Sequence, residues 1–246
     1  MSLFLPMLNT STQNYMIDFS VFEKKTGVIF KDTQLLQQAF LHRSYLNENP
    51  NLGLAHNERL EFLGDAVLEL AVTDYLYKKF PLQAEGELTA YRSALVNAVI
   101  ISEIATEIGM NDFLLLSKGE SKDTGKARQY ILANTYEAFV GAIYLDQGYD
   151  AAEQFMARTL YGRIDDIVKH KLWRDAKSLI QEKAQEYVGV TPQYKVIKEN
   201  GPDHDKHFTV GVFFDTLQVA TGKGKSKQEA EQQAARTALE QKGWLD

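Results

Sequence analysis

The sequence predicts two domains of different class: an all-α domain, then a small α+β domain with the order α-β-β-β-α. Three observations carry this. No proline falls between Pro81 and Pro192, and that interval is rich in Ala, Leu, Ile and Glu at helical spacing. After about Trp173 the texture changes to short β-rich stretches separated by turn residues. Charge divides at the same place. Residues 174–246 hold 11 basic and 11 acidic side chains, so residues 1–173 carry the whole net charge of −6.

Taken in order, residues 1–15 read as a flexible N-terminal segment, 16–172 as the helical domain and 173–246 as the α+β domain. Ser20 and Glu23 have capping-box spacing, and Gly27 suits a helix stop. Asp32 opens a helix to about His42, and Asn57 caps one that runs to about Lys79. Glu85 to Ile108 reads as one helix. A polar loop at 117–128 precedes an apolar helix from about Gln129 to Leu145, ended by Gly148. Asp150 starts a further helix to about Lys169. In the second domain a helix spans 175–188, strands follow at 193–199, 207–214 and 217–221, and a last helix begins at Ser226.

Composition excludes several classes. Hydrophobic residues make up 44%, which is enough for a packed core. There are no cysteines, so disulfides, thiol nucleophiles and Cys-based metal sites are absent. The five histidines are scattered. The start, MSLFLPML, lacks a basic region and is broken by Pro6, which makes it a poor secretory signal. No run of 18 apolar residues occurs, so no membrane span is expected, and a cytoplasmic protein is the default.

The stretch NERLEFLGDAVLEL at 57–70 places Glu58, Glu61, Asp65 and Glu69 on one side of a helical wheel. Leu60, Leu63, Ala66, Val67 and Leu70 occupy the other side. An ordinary amphipathic helix with a solvated acidic face has the same pattern. Two details argue for more. Phe62 and Leu68 sit among the acids, which suggests a second surface, such as a partner subunit, close to them. The like charges also repel one another at i,i+3 and i,i+4, and a bound cation would convert that cost into binding.

The helix ILANTYEAFVGAIYL at 131–145 carries a single charge, Glu137, with Asn134 three residues earlier on the same face. A buried lone carboxylate must be neutral, paired or metal-bound. Glu58, Glu61, Asp65 and Glu137 could converge from two helices. Oxygen ligands without Cys or paired His point to Mg²⁺ or Mn²⁺, metals suited to phosphoryl chemistry.

In the second domain, Lys223, Lys225 and Lys227 cluster at a helix N-terminus, where backbone N–H groups favour anions. Gly222 and Gly224 are expected to let the backbone approach a phosphate. His204 in a β-turn and Gln181 on the preceding helix are candidate further contacts; each also fits a solvated surface position.

These residues bring the chain to a known family. HNERLEFLGDAVLEL at 56–70 resembles the signature of bacterial ribonuclease III. FLHRSY at 40–45, EGELTAYRSALVN at 85–97 and ILANTYEAFVGAIYLDQGY at 131–149 agree in order. GPDHDKHF and GKGKSKQEAEQQAA resemble the double-stranded-RNA-binding domain that follows the nuclease domain in that family. The resemblance implies a Mg²⁺-dependent endonuclease, with Mn²⁺ able to substitute. It would act as a homodimer on double-stranded RNA and leave 5′-phosphate and 3′-hydroxyl ends, in ribosomal- and messenger-RNA processing. By motif position it implies metal ligands at Glu61, Asp65, Asn134 and Glu137. Asp65 and Glu137 would be least dispensable, and Glu58 would support the site. Phe62 would be a dimer contact. Gln181, His204, Lys225, Ser226 and Lys227 would touch RNA. One position departs, because the family usually has Asp where this chain has Asn134. A neutral amide should bind the metal more weakly. A chain that binds duplex RNA without cutting it is therefore the alternative.

Overall fold

The computed structural model describes residues 17–202 and 206–245, and the chain divides into two compact units between Asp166 and Ile167. The helices before that division are α1 (Ser20–Thr26), α2 (Thr33–Ala39), α3 (Arg43–Glu48), α4 (Glu58–Lys79), α5 (Glu85–Leu95), α6 (Ala98–Glu107), α7 (Lys126–Gln147) and α8 (Tyr149–Thr159); α9 (Arg163–Lys169) spans it. The second unit contains α10 (Ala176–Val188), β1 (Gln193–Asn200), β2 (His207–Phe214), β3 (Leu217–Gly224) and α11 (Lys227–Lys242). The all-α domain followed by the α-β-β-β-α domain is the architecture the sequence predicts.

Helix α7 forms the axis of the first unit. Ile131, Leu132, Tyr136, Phe139, Val140 and Ile143 are all buried along it, consistent with its apolar sequence on every side. Phe139 joins Phe22, Phe30, Phe40 and Phe155, with ring centroids 5.0–6.0 Å apart. Tilted and edge-on ring pairs at this spacing add stabilisation beyond their buried area.

Two helices predicted as continuous are broken, and a third ends early. The span 85–108 divides at Val96 and Asn97, where the Asn97 side chain accepts from the backbone N–H groups of Val99 and Ile100 and starts α6. The span from Asp150 divides after Thr159. The helix expected to reach His42 stops at Ala39, because Leu41 leaves to bridge Leu115. Local spacing also misassigns two caps. Glu23 accepts from the Phe30 N–H instead of closing a box on Ser20. Asn57 is buried and donates to the Ala39 carbonyl instead of capping α4. Asp32 and Gly27 act as expected.

In the second unit the antiparallel sheet has the order β1-β2-β3. α10 and α11 pack on it through Ile180, Ala184, Val212, Phe214, Ala234, Ala238 and Leu239. The alanines leave no bulk between α11 and β3. Gly222 and Gly224 allow still closer approach: a Cβ would lie 2.1 Å from the Ala234 nitrogen and 2.6 Å from the Ala230 nitrogen respectively. These glycines therefore serve helix-on-strand packing. Both are buried, which corrects the expectation that they open the backbone to a phosphate.

Candidate functional site

The acids of the first unit are placed by a crossing of α4 and α7. Gly64 on α4 has no room for a side chain; a Cβ there would lie 1.8 Å from the Glu137 carbonyl oxygen. Gly141 on α7 is equally constrained, 2.3 Å from the Leu60 carbonyl oxygen. The two backbones thus touch. Glu61 and Asp65 flank Gly64 on one side of the contact, and Asn134 and Glu137 lie on the other.

Glu61, Asn134 and Glu137 are half-buried, while Glu58 and Asp65 are exposed. Burial, reinforced by the charges of Asp65, Glu61 and Glu69, pushes the Glu137 carboxyl up to about 8. Burial, with Glu58 and Asp65, also raises Glu61. The basic side chains at the crossing lie against its outer acids. Glu58 lies 3.6 Å from Arg43 Nη1 and 3.8 Å from His56 Nδ1, and Arg92 Nε meets Glu69 Oε2 at 2.9 Å. Among the described residues Glu61, Asp65 and Glu137 have no ion pair. No three His, Asp or Glu side chains among those residues are already drawn into a metal cage. Carboxylates that share a field with no cation between them repel, so a splayed arrangement is expected. The donor chemistry nevertheless fits a hard divalent ion: oxygens only, around a half-buried acid that lacks a counter-charge.

The wheel reading of α4 needs correction. Leu60, Val67, Leu68, Ala71, Val72 and Leu76 are buried, but Ala66 and Leu70 are exposed. The buried stripe is rotated toward Leu68 because α7 approaches at Gly64. The displaced apolar residues form an outer strip of Phe62, Leu70 and Tyr77, and Phe62 is 83% exposed. Glycine inside two apolar helices was the missed signal; a residue with no side chain marks where two helices can touch.

In the second unit Ser226 caps α11. Its Oγ accepts from the Glu229 N–H at 3.1 Å, and Glu229 accepts from the Lys225 N–H at 2.8 Å. Lys225, Ser226 and Lys227 are all exposed around that helix end. Gln181 on α10 is also exposed. With Ser178, Gln228 and Gln232 it lines a polar cavity of about 300 Å³ between α10 and the start of α11. The structure thus brings Gln181 beside the Lys227 stretch. His204 lies outside the described residues. Gln228, next to Lys227, lines the same cavity.

Comparison with known proteins agrees with this architecture. A ribonuclease-III-like family model matches residues 32–164, and a double-stranded RNA binding motif matches residues 176–242. The chain is 44% identical over 220 residues to ribonuclease 3 of Pelotomaculum thermopropionicum, covering 89% of this chain and 91% of that protein. It is 47% identical over 219 residues to ribonuclease 3 of Carboxydothermus hydrogenoformans, covering 89% and 93%. The nuclease domain of ribonuclease III from Campylobacter jejuni, whose structure is described for a region involved in dimer formation, superposes with a TM-score of 0.53 at 39% identity. It covers 58% of this chain and 95% of that one. With both of its domains matched in order, the chain belongs to the ribonuclease III family of double-stranded-RNA endoribonucleases.

Proposed function

We propose that the chain hydrolyses both strands of duplex RNA at a Mg²⁺-dependent site on the α4–α7 crossing, leaving 5′-phosphate and 3′-hydroxyl ends. The observation that carries this is Glu137, half-buried beside three other carboxylates without a cation of the protein's own. Glu61, Asp65, Asn134 and Glu137 would hold the metal, and Mn²⁺ would serve in its place. The metal, when bound, lowers the pKa of an attacking water and stabilises the leaving oxygen. Glu58, 3.6 Å from Arg43 Nη1, supports the site from the preceding turn. The close backbone contact keeps Glu61 and Asp65 opposed to Glu137 while the ligand changes. Processing of ribosomal and messenger precursors in the cytoplasm is the cellular role this reading implies.

The acidic crossing repels RNA by itself, so binding falls to the second unit. Lys225, Ser226 and Lys227 suit the phosphates of an A-form duplex. Gln181 and His204 would suit the shallow minor groove and its 2′-hydroxyls. Such contacts read shape more than sequence.

A homodimer supplies one site per strand. The exposed Phe62 supports it, as does an open cavity of about 430 Å³ lined by Thr73, Leu76, Tyr77, Leu88 and Arg92. Phe62 and this cavity lie three to four turns apart on α4, roughly 16–22 Å. A two-fold axis between them would seat each Phe62 in the other subunit's cavity. Among the described residues no single helix is long and apolar enough to cross a membrane.

The deciding experiment is cleavage of a long labelled duplex at low salt across a Mg²⁺ titration, with EDTA and Glu137→Gln as controls. Short duplex products that need Mg²⁺ and vanish in the variant are expected. Binding without cleavage at every Mg²⁺ concentration would favour the second reading, a non-cutting RNA-binding protein, which the neutral Asn134 amide motivates.

A further inference from the structure

The lysine that the helix end offers to RNA already has an anion of its own. Glu199, near the end of β1, stands opposite Phe208 of β2, and Phe208 in turn pairs with Gly224 of β3. This row of three strands leads directly to the start of α11. There Lys227 Nζ lies 3.4 Å from Glu199 Oε1 and over the Phe208 ring, 5.6 Å from its centroid. The other carboxylate oxygen, Oε2, lies 3.5 Å from Lys206 Nζ. One acid therefore bridges two ammonium groups, from the β1–β2 connection and from the helix N-terminus.

The exposure of the three side chains decides what this bridge is for. Lys227 is 58% exposed, Glu199 39% and Lys206 37%. Pairs so open to water contribute little to stability, so holding the fold together is a poor account of them. They are also cheap to exchange, and a phosphate oxygen offers Lys227 the same kind of partner that Glu199 does.

Given the proposed contact of Lys227 with RNA, on which this depends, we propose that Glu199 is a built-in competitor. Its carboxylate occupies Lys227 and Lys206 in the free chain, is displaced from Lys227 when an RNA phosphate arrives, and retakes the lysine as product leaves. A nuclease that turns over must release its cut duplex, and an internal anion weakens the clamp on product without removing the lysines.

The test is duplex affinity of the full chain, measured in EDTA with a short labelled RNA duplex over a series of salt concentrations. Four proteins are compared: wild type, Glu199→Gln, Lys206→Gln/Lys227→Gln, and the triple variant. Glu199→Gln is expected to bind about three-fold tighter at low salt, the size of one exposed ion pair that no longer has to be broken before Lys227 meets a phosphate. Its log–log salt dependence should be steeper, and steady-state cleavage in Mg²⁺ should slow as product release slows. The triple variant should match the double-lysine variant, because Glu199 acts through those lysines. Weaker or unchanged binding by Glu199→Gln, with the double-lysine variant impaired, would overturn the competitor role and leave the RNA contact standing. Unchanged binding by the double-lysine variant would sink the RNA contact itself, and the competitor with it.

Discussion

The α4–α7 crossing and the β3–α11 crossing use the same device to opposite ends. In each, glycines remove the side chains that would keep two backbones apart: Gly64 and Gly141 in the first, Gly222 and Gly224 in the second. The first contact leaves Glu61, Asp65 and Glu137 around it, and burial raises Glu137. The second leaves Lys225 and Lys227 around an exposed helix end. Glycine fixes where the elements meet, and the neighbouring residues decide which charge the meeting point displays. Glu61 and Glu137 are half-buried, and with the exposed Asp65 they lack an ion pair among the described residues, so their crossing should answer to pH and metal. The lysines are solvated, so theirs should answer to salt.

The largest effect should come from removing the device. Gly64→Ala puts a methyl 1.8 Å from the Glu137 carbonyl oxygen, so the helices must separate by roughly 1 Å or more. A stability loss of about 3 kcal/mol is expected in denaturant melts, along with loss of cleavage. Gly222→Ala should break the other crossing, abolishing duplex binding while the first unit keeps its helical signal. If Gly64→Ala cleaves normally, the close backbone contact is not what places the acids.

Charge at the first crossing comes next. The ordinary glutamate value is 4.5, and folding lifts Glu137 to about 8. Between those values the folded, metal-free chain holds a proton that the unfolded chain has released. Its stability should therefore fall as pH rises from about 4.5 to 8, and be fully present below that window. Urea melts in EDTA should show this slope in wild type and a flatter one in Glu137→Gln. Mg²⁺ should stabilise wild type but not the variant, and the variant should lose at least about 100-fold in cleavage. An equal slope in both proteins would mean that Glu137 is not the titrating group.

At the second crossing the expected change is smaller. Lys227→Gln should weaken duplex binding several-fold at low salt and reduce the log–log salt slope by roughly 0.9 for one lost phosphate contact. Filter binding over a salt series measures both. A weaker affinity with an unchanged slope would place Lys227 away from the phosphates.

Much of this could be read from the sequence, for a physical reason. Elements rich in one period, such as 131–145 with its single charge, announce both their structure and their odd residue. The Ser226–Glu229 box was legible because both of its partners are local. What escaped depends on long-range contacts. Glu23 spacing suggested a cap on Ser20, but its side chain serves Phe30 seven residues on. The α4 stripe was turned because α7 presses at Gly64, and no wheel drawn for α4 alone contains α7. Gly222 and Gly224 have the local pattern of a phosphate loop, and nothing local reveals the helix lying against them. The carboxylates were legible by type and spacing, and their unequal burial was not.

Asn134 is the finest test of the contrast between the two crossings, because it changes charge without changing shape. It lies three residues before Glu137 on the same face of α7, where a carboxylate would add to the field of Asp65 and Glu61. Asn134→Asp should therefore act in opposite directions with and without metal. In EDTA the added charge should destabilise the fold by a few tenths of a kcal/mol, the usual cost of a like pair at this spacing, and extend the pH slope upward. In Mg²⁺ the same charge should lower the metal concentration needed for half-maximal cleavage, because an anionic oxygen binds a hard cation better than an amide does. Duplex binding in EDTA should not improve, since the change lies in the acidic unit. A Mg²⁺ requirement identical in the two proteins would show that residue 134 does not face the metal, and would leave Glu61, Asp65 and Glu137 to hold it without help from that position.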